Sequence, residues 1–342
     1  MKYMKRLALV FSLLFALGAV ALVAGLFLLR SYAASSGPLD AEKLVLVPKG
    51  ASVIAIAEML EREQVIKNAD LFRVVYVLKK QPPLKAGEYA FPAHVSLADT
   101  FIKLETGDIF RRLATIPEGL TAHEIIERLN AIEALEGVVE TTPPEGSLLP
   151  NSYQYSAGDT RQSVIEQMNK AMQAVRAELW PTRRADLPFK TIDEAVILAS
   201  IVEKETSVPS ERARIAGVFV NRLKRGMLLQ SDPTIIYGIT LGKHQNTGSG
   251  PLGRRLLSKD VAADTPYNTY TRAGLPPTPI ANPGRDAIAA TLQPEQHDYV
   301  FFVADGTGGH VFARTLKEHN ENVVKWRKIR RDKEAAAKAK AP

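Results

Sequence analysis

Few of the 342 residues combine a reactive side chain with a placement that could use it. There is no cysteine, which removes thiolate ligands, a thiol nucleophile and a disulfide framework together. Six histidines, His94, His123, His244, His297, His310 and His319, are scattered along the chain. His123 to Glu127 resembles a zinc-binding helix but lacks the second histidine, and Thr121 to Glu124 reads as a helix capping box. No metal site is expected. Gly306 to Gly309 lies between two predicted strands and reads as a turn, not a phosphate cradle. Gly248-Ser249-Gly250 has no strand-to-helix elbow that would expose a serine nucleophile. That leaves the carboxylates.

Residues Ile192 to Glu205 predict a helix that is almost wholly apolar until its last turn, so it belongs in a core. Ile197, Ile201 and Glu205 fall four apart on one stripe, and Glu205 ends that buried row. Glu203 lies about 200° round the axis and cannot reach the same small pocket. A carboxyl ending a buried stripe, at the negative end of the helix dipole, should keep its proton to higher pH, as a general acid requires. The other reading is that Glu205 pairs with Arg212 or Arg214 and ties two helices together. After Gly226 the chain becomes irregular and rich in Tyr, Asn and Thr, with a short helix opening at Asp232-Pro233. Aromatic faces beside amides and hydroxyls suit sugars, which present apolar C–H faces and polar rims. A proline-stiffened connector is the alternative, although structureless segments of this length are usually functional.

These residues need a frame. Leu7–Leu29 is an uncharged run of 23 residues. At ~1.5 Å per residue it reaches ~35 Å, enough to cross a ~30 Å hydrocarbon core. A cleaved signal peptide, ending near Tyr32-Ala33-Ala34-Ser35-Ser36, would have a shorter apolar region of ~7–15 residues. Lys2, Lys5 and Arg6 precede the run, which places the N-terminus in the cytoplasm and the body outside. The net charge of +7 is concentrated at the two ends. Lys2, Lys5, Arg6 and Arg30 give +4 and the residues from Lys325 onward give +6, so residues 31–324 carry −3. The body is slightly acidic and offers nucleic acid nothing.

The rest predicts an α+β protein. Leu44–Val47 and Lys85–Phe91 read as strands, with helices capped by Ser52, running near Ala69–Leu78, and capped by Ser96 up to Gly107. Phe110–Pro117 is a further strand, Thr121 opens a helix to Leu129, Thr141–Gly158 is a loop, and Arg161–Leu179 is a long helix. Helices from Ser210 to Lys224 and Asp286 to Leu292 follow, then strands Tyr299–Val303 and Val311–Ala313, then a basic exposed tail after Trp326. The organisation is a cytoplasmic end and anchor at 1–30, a linker at 31–42, a small module at 43–115, a larger domain at 116–325 and the tail at 326–342.

Taken together, Leu198–Thr206 (LASIVEKET), Phe219–Met227 (FVNRLKRGM), Leu229–Thr234 (LQSDPT), Tyr267–Tyr270 (YNTY), Gly274–Pro277 (GLPP) and Val303–Gly306 (VADG) resemble the endolytic murein transglycosylases, the YceG-like or MltG family. The likeness runs from the anchor to about residue 326. It implies an inner-membrane anchor through residues 7–29, a LysM-like glycan-binding module at 43–115 and a lytic transglycosylase domain at 116–325 in the periplasm. It implies Glu205, the second glutamate of Glu-Lys-Glu, as the catalytic residue. Glu203, Gln230, Asp232, Thr234, Tyr237, Asn268 and Tyr270 are then the candidates for holding sugar and orienting it. The segment Leu149–Tyr153 has Asn151 and Ser152 where the family has an acid and a threonine, which puts a charged role at 151 in doubt. The implied substrate is the glycan strand of peptidoglycan, cut between N-acetylmuramic acid and N-acetylglucosamine to leave a 1,6-anhydro end. Neither metal nor organic cofactor is needed, and penicillin-binding synthases are the implied protein partners. A hydrolytic muramidase with Asp232 as second carboxylate and a non-catalytic wall-binding scaffold are the other classes.

Overall fold

The apolar run forms a helix, α1 (Lys2–Ala34), whose Leu9–Ala34 stretch is long and apolar enough to cross a membrane. The computed structural model describes residues 2–243 and 251–340; His244 and Gly248–Gly250 lie outside the described residues. Two units result, one of residues 1–112 with 155–158, the other of residues 113–154 with 159–342.

The first unit continues through β1 (Lys43–Val47), α2 (Val53–Arg62), α3 (Ala69–Leu78), β2 (Gly87–Phe91) and α4 (Leu97–Thr106). β1 and β2 pair antiparallel, Lys43 opposite Phe91 and Val47 opposite Gly87. Ser52, Asn68 and Ser96 each stand before a helix in extended conformation and accept a backbone N–H from its first turn. Gly107 ends α4 at φ +74°, a left-handed stop that glycine adopts without a Cβ penalty. Phe72, Tyr89, Phe91 and Phe101 fill the core. Residues 31–42 are not the free linker expected. Ser31 to Ala34 remain helical, Ala33 and Leu39 are buried in this core, and the His94 N–H donates to the Leu39 carbonyl at 2.8 Å. One small and one large apolar side chain, Ala33 and Leu39, dock the segment.

In the second unit, β3 (Arg112–Thr115) pairs with β4 (Ser152–Tyr155), and α5 (Ala122–Asn130) carries the complete Thr121–Glu124 capping box. β4 interrupts the expected 141–158 loop because Tyr153 and Tyr155 alternate inward. α6 (Arg161–Leu179), α7 (Ile192–Glu205) and α8 (Arg212–Lys224) follow. Among its described residues the stretch 226–283 holds two helices, α9 (Asp232–Thr240) and the short α10 (Ser258–Val261). α11 (Arg285–Leu292), the hairpin β5 (Phe301–Ala304) and β6 (His310–Ala313), and α12 (Leu316–Lys340) complete the chain. β5 and β6 pair antiparallel through the Asp305–Gly309 turn, Phe302 opposite Phe312.

α7 is the axis of this unit: Ala195 to Val202 are all buried, against residues of α6, α8 and α11. Being apolar all round, it also needs something to cover its remaining face. The irregular 267–283 stretch supplies it. Ser200 Oγ, buried mid-helix, accepts the Ile280 N–H at 3.0 Å. Asn282 fastens the same stretch: its Oδ1 accepts the Leu148 N–H at 3.0 Å, and its Nδ2 donates to the Leu120 carbonyl at 3.2 Å and Glu145 Oε2 at 3.1 Å. A segment without regular structure is thus held as firmly as a strand, its backbone satisfied by side chains.

Candidate active site

Glu205 closes α7 and faces a cavity of about 530 Å³. Leu229, Gln230, Asp232, Tyr270 and Arg222 line it on one side. Phe301–Val303 of β5, with Leu316, His319 and Asn320 of α12, line the other. Among the described residues the carboxyl receives one hydrogen bond, from Ser231 Oγ to Oε1 at 2.6 Å. Burial is the main influence on it and raises its pKa above the usual glutamate range; nearby Asp232 pushes the same way. The Ser231 hydroxyl, His310 and Arg222 oppose that shift without reversing it.

The cavity wall is cross-linked by hydrogen bonds. Arg222, itself buried, donates to the carbonyls of Val300 at 2.6 Å and Leu229 at 2.8 Å, and lies 5.2 Å from the Phe301 ring centroid. One side chain therefore ties α8 to both the 228–230 turn and β5. Gln230 sits at φ +51°, a left-handed conformation costly for a residue with a Cβ. Its N–H donates to the Thr269 carbonyl at 3.0 Å, and its side chain accepts from Arg222. Tyr270 donates its hydroxyl to Asp232 Oδ1 at 2.7 Å, and burial followed by this bond raises its phenol pKa. His319 stacks on Phe301, ring centroids 5.1 Å apart, and burial lowers its pKa.

The expected site residues divide cleanly. Glu205, Gln230, Asp232 and Tyr270 meet in the cavity. Thr234 and Asn268 are buried behind it. Thr234 donates to the Ser231 carbonyl at 2.6 Å, and Asn268 holds the carbonyls of Val261 and Ala263 at 2.9 and 2.7 Å while accepting the Tyr270 N–H at 2.9 Å. Neither reaches the cavity; Asn268 braces Tyr270, which does, and Thr234 braces Ser231, which bonds Glu205 from behind the wall. Glu203 points the other way, as the helix geometry required. It accepts from the Gly284 N–H at 2.9 Å and from Arg212 at 3.4 Å, and burial raises its pKa. The ion pair weighed for Glu205 is thus made by Glu203 with Arg212, while Arg214 pairs with Glu295 at 3.0 Å.

Tyr237 is elsewhere. Five residues beyond Asp232 on α9, it projects about 140° round the helix. It packs edge-on against Tyr267, centroids 4.8 Å apart, in a separate cavity of about 650 Å³ that also holds Glu145 and His123. Glu145 accepts the Ala122 N–H at 2.9 Å and is bonded by Tyr237; burial pushes its pKa up to about 7. Nothing in its loop-like surroundings, Pro143-Pro144-Glu145-Gly146, marks it in the sequence. Sequence reasoning also passed over Ser231, Arg222, Phe301 and His319. Ser231 and Arg222 stand inside two of the motifs quoted above, the only signal available for them.

A glutamate presented to a cavity in this way invites comparison with known proteins. A family model described as the YceG-like family matches residues 45–325. The chain belongs to the YceG-like family. Among its relatives is the endolytic murein transglycosylase of Bacillus subtilis (strain 168), 31% identical over 316 residues, covering 82% of this chain and 83% of the relative. The endolytic murein transglycosylase of Streptococcus pneumoniae serotype 2 is 30% identical over 339 residues, covering 84% of this chain; the chain spans 59% of that protein's length. A yceG-like protein of Listeria monocytogenes, solved by crystallography, is 30% identical and covers 82% of this chain and 99% of its own, with a TM-score of 0.47.

Proposed function

We propose that this YceG-like chain is an endolytic lytic transglycosylase that cuts the β-1,4 bond between N-acetylmuramic acid and N-acetylglucosamine in peptidoglycan strands and leaves 1,6-anhydro ends. One observation carries the reading: a partly buried glutamate, bonded among the described residues by a hydroxyl and by no cation, faces a cavity walled by aromatic rings and polar groups. Glu205, protonated, gives its proton to the glycosidic oxygen as that oxygen leaves C1. The carboxylate then takes the proton of the muramyl C6 hydroxyl while the C6 oxygen closes on C1. The proton returns to Glu205 and no water is consumed. Because the nucleophile belongs to the substrate, one carboxyl suffices where a hydrolytic glycosidase uses two. Phe301, Tyr270 and His319 offer ring faces to sugar, and Gln230 and Asn320 offer amides.

A second reading has an observation of its own. Asp232 lies in the same cavity and raises the pKa of Glu205, as the second carboxylate of a muramidase would. The remaining parts suit work at the wall. α1 would anchor the chain with its N-terminus in the cytoplasm, as Lys2, Lys5 and Arg6 direct, and the body would lie outside, against the peptidoglycan. The antiparallel β1–β2 pair with α2 and α3 supports a LysM-like grip on glycan by the first unit.

The test is mass spectrometry of purified glycan strands incubated with the full-length chain in detergent and with Glu205→Gln. Anhydro-muramyl ends from the native chain alone are expected. Hydrolysed reducing ends would instead select the muramidase, and no cleavage with glycan binding retained would leave a scaffold.

A further inference from the structure

We propose that Ser231 is a positioning residue: it holds one oxygen of the Glu205 carboxyl, Oε1, and so reserves the other, Oε2, for the proton exchanged with the glycan. The inference rests on the transglycosylase reading of this site.

Three observations point to it. The Ser231 Oγ to Glu205 Oε1 bond is 2.6 Å long, and among the described residues no other hydrogen bond reaches that carboxyl. Ser231 is 1% exposed and fixed at both ends of its backbone. Its N–H donates to Thr269 Oγ1 at 3.0 Å, its carbonyl accepts from Thr234 Oγ1 at 2.6 Å, and the two threonine hydroxyls bond each other at 2.8 Å. The third observation concerns what Ser231 does not do. It is the N-cap of α9, where a serine ordinarily turns its hydroxyl oxygen to the amides of its own helix. Here no side-chain cap bond forms, and the hydroxyl is directed across to α7 instead. A helix start has forgone its own cap in favour of a carboxyl 26 residues away in sequence.

The consequence is a division of labour between the two carboxyl oxygens. An oxygen that accepts the Ser231 proton is the carbonyl-like one of the neutral acid, so the acidic hydrogen resides on Oε2. In the first step Oε2–H goes to the glycosidic oxygen as the C1–O bond breaks, and Ser231 remains bonded to the carboxylate it leaves. In the second, the C6 hydroxyl forms the new bond to C1 and its proton goes to Oε2. Ser231 gains and loses nothing. It keeps the carboxyl from rotating between the two transfers.

The experiment compares the native chain, Ser231→Ala, Ser231→Thr and Glu205→Gln, all full-length in detergent. Formation of anhydro ends is followed against pH, and the Glu205 carboxyl is titrated by carbon-13 NMR, its signal identified by its loss in Glu205→Gln. In Ser231→Ala, kcat should fall about 10–100-fold from a misplaced carboxyl, with KM changed less than about three-fold. Loss of a donor to the charged form should move both the high-pH fall in rate and the NMR titration upward by about one unit. Ser231→Thr, which keeps the hydroxyl, should recover the native titration. Unchanged pH limb and titration in Ser231→Ala overturn the proposal, as does a rate loss that only follows the fraction unfolded. A native chain that yields no anhydro ends brings down the transglycosylase reading and this inference together. A native chain that does yield them, beside an indifferent Ser231→Ala, removes this inference alone.

Discussion

Two glutamates two residues apart in one helix meet opposite fates. Glu203 is drawn into a charged cluster with Arg212, and Glu205 into a cavity with no cation bonded to it. A carboxyl whose folded pKa is raised supports the fold fully below its unfolded pKa of ~4.3, and that support is lost as pH rises through the folded pKa. Glu205→Gln should therefore melt at higher temperature than the native chain at pH 8, with the gap closing towards pH 4, while cleavage falls by at least ~1,000-fold. A calorimetric series with paired activity assays checks both halves. Glu145 makes the same prediction without the catalysis. Its pKa of about 7 means that native stability should slope downward between pH 5 and 7, and Glu145→Gln should flatten that slope. The four-residue spacing of Ile197, Ile201 and Glu205 put that carboxyl on the apolar stripe but left open whether it would pair with Arg212 or Arg214. The position of Tyr237 was misread because neighbours in sequence were treated as neighbours in space, although five residues on a helix is nearly half a turn of offset.

Among the elements, α7 does most to place the site, and what covers it is irregular chain. If Ser200 anchors that chain, Ser200→Ala should leave the buried Ile280 N–H unpartnered and cost about 1–3 kcal/mol. Hydrogen exchange at Ile280 should rise more than exchange within α8. The helices that the sequence defined best were those with a cap and a continuous apolar face: α6 and α7 begin at Thr160 and Thr191, each of which accepts an N–H from the first turn. β4 went unread because four residues with two inward tyrosines give too short a period to stand out from the prolines around it. α12 was expected only as a tail after Trp326, yet it starts at Leu316. Its first turns are polar because they border the cavity through His319 and Asn320, and a helix facing open space on two sides carries no clear apolar stripe.

For the molecule as a whole, the apolar helix α1 runs into the rest of the first unit through packed residues, not through a tether. A chain beginning at Ser31 keeps Ala33 and Leu39, whereas one beginning at Lys43 loses both, along with the bond from His94 to Leu39. The second should show a lower melting transition for the first unit, by roughly 4–8 °C for each kcal/mol lost in a domain this size. Equal transitions would show that the segment is dispensable.

The cavity draws its walls from Glu205, Arg222, Leu229, Gln230, Asp232, Tyr270, Phe301–Val303, Leu316, His319 and Asn320, residues spread over more than a hundred positions of the chain. Contacts of such separation close late in folding, after the local helices. Until the last hundred or so residues have emerged and docked, a nascent chain holds Glu205 without Ser231, Tyr270 or the aromatic wall. The site is therefore a late product of synthesis: the groups that surround Glu205 are complete only once the hairpin β5–β6 and α12 are in place.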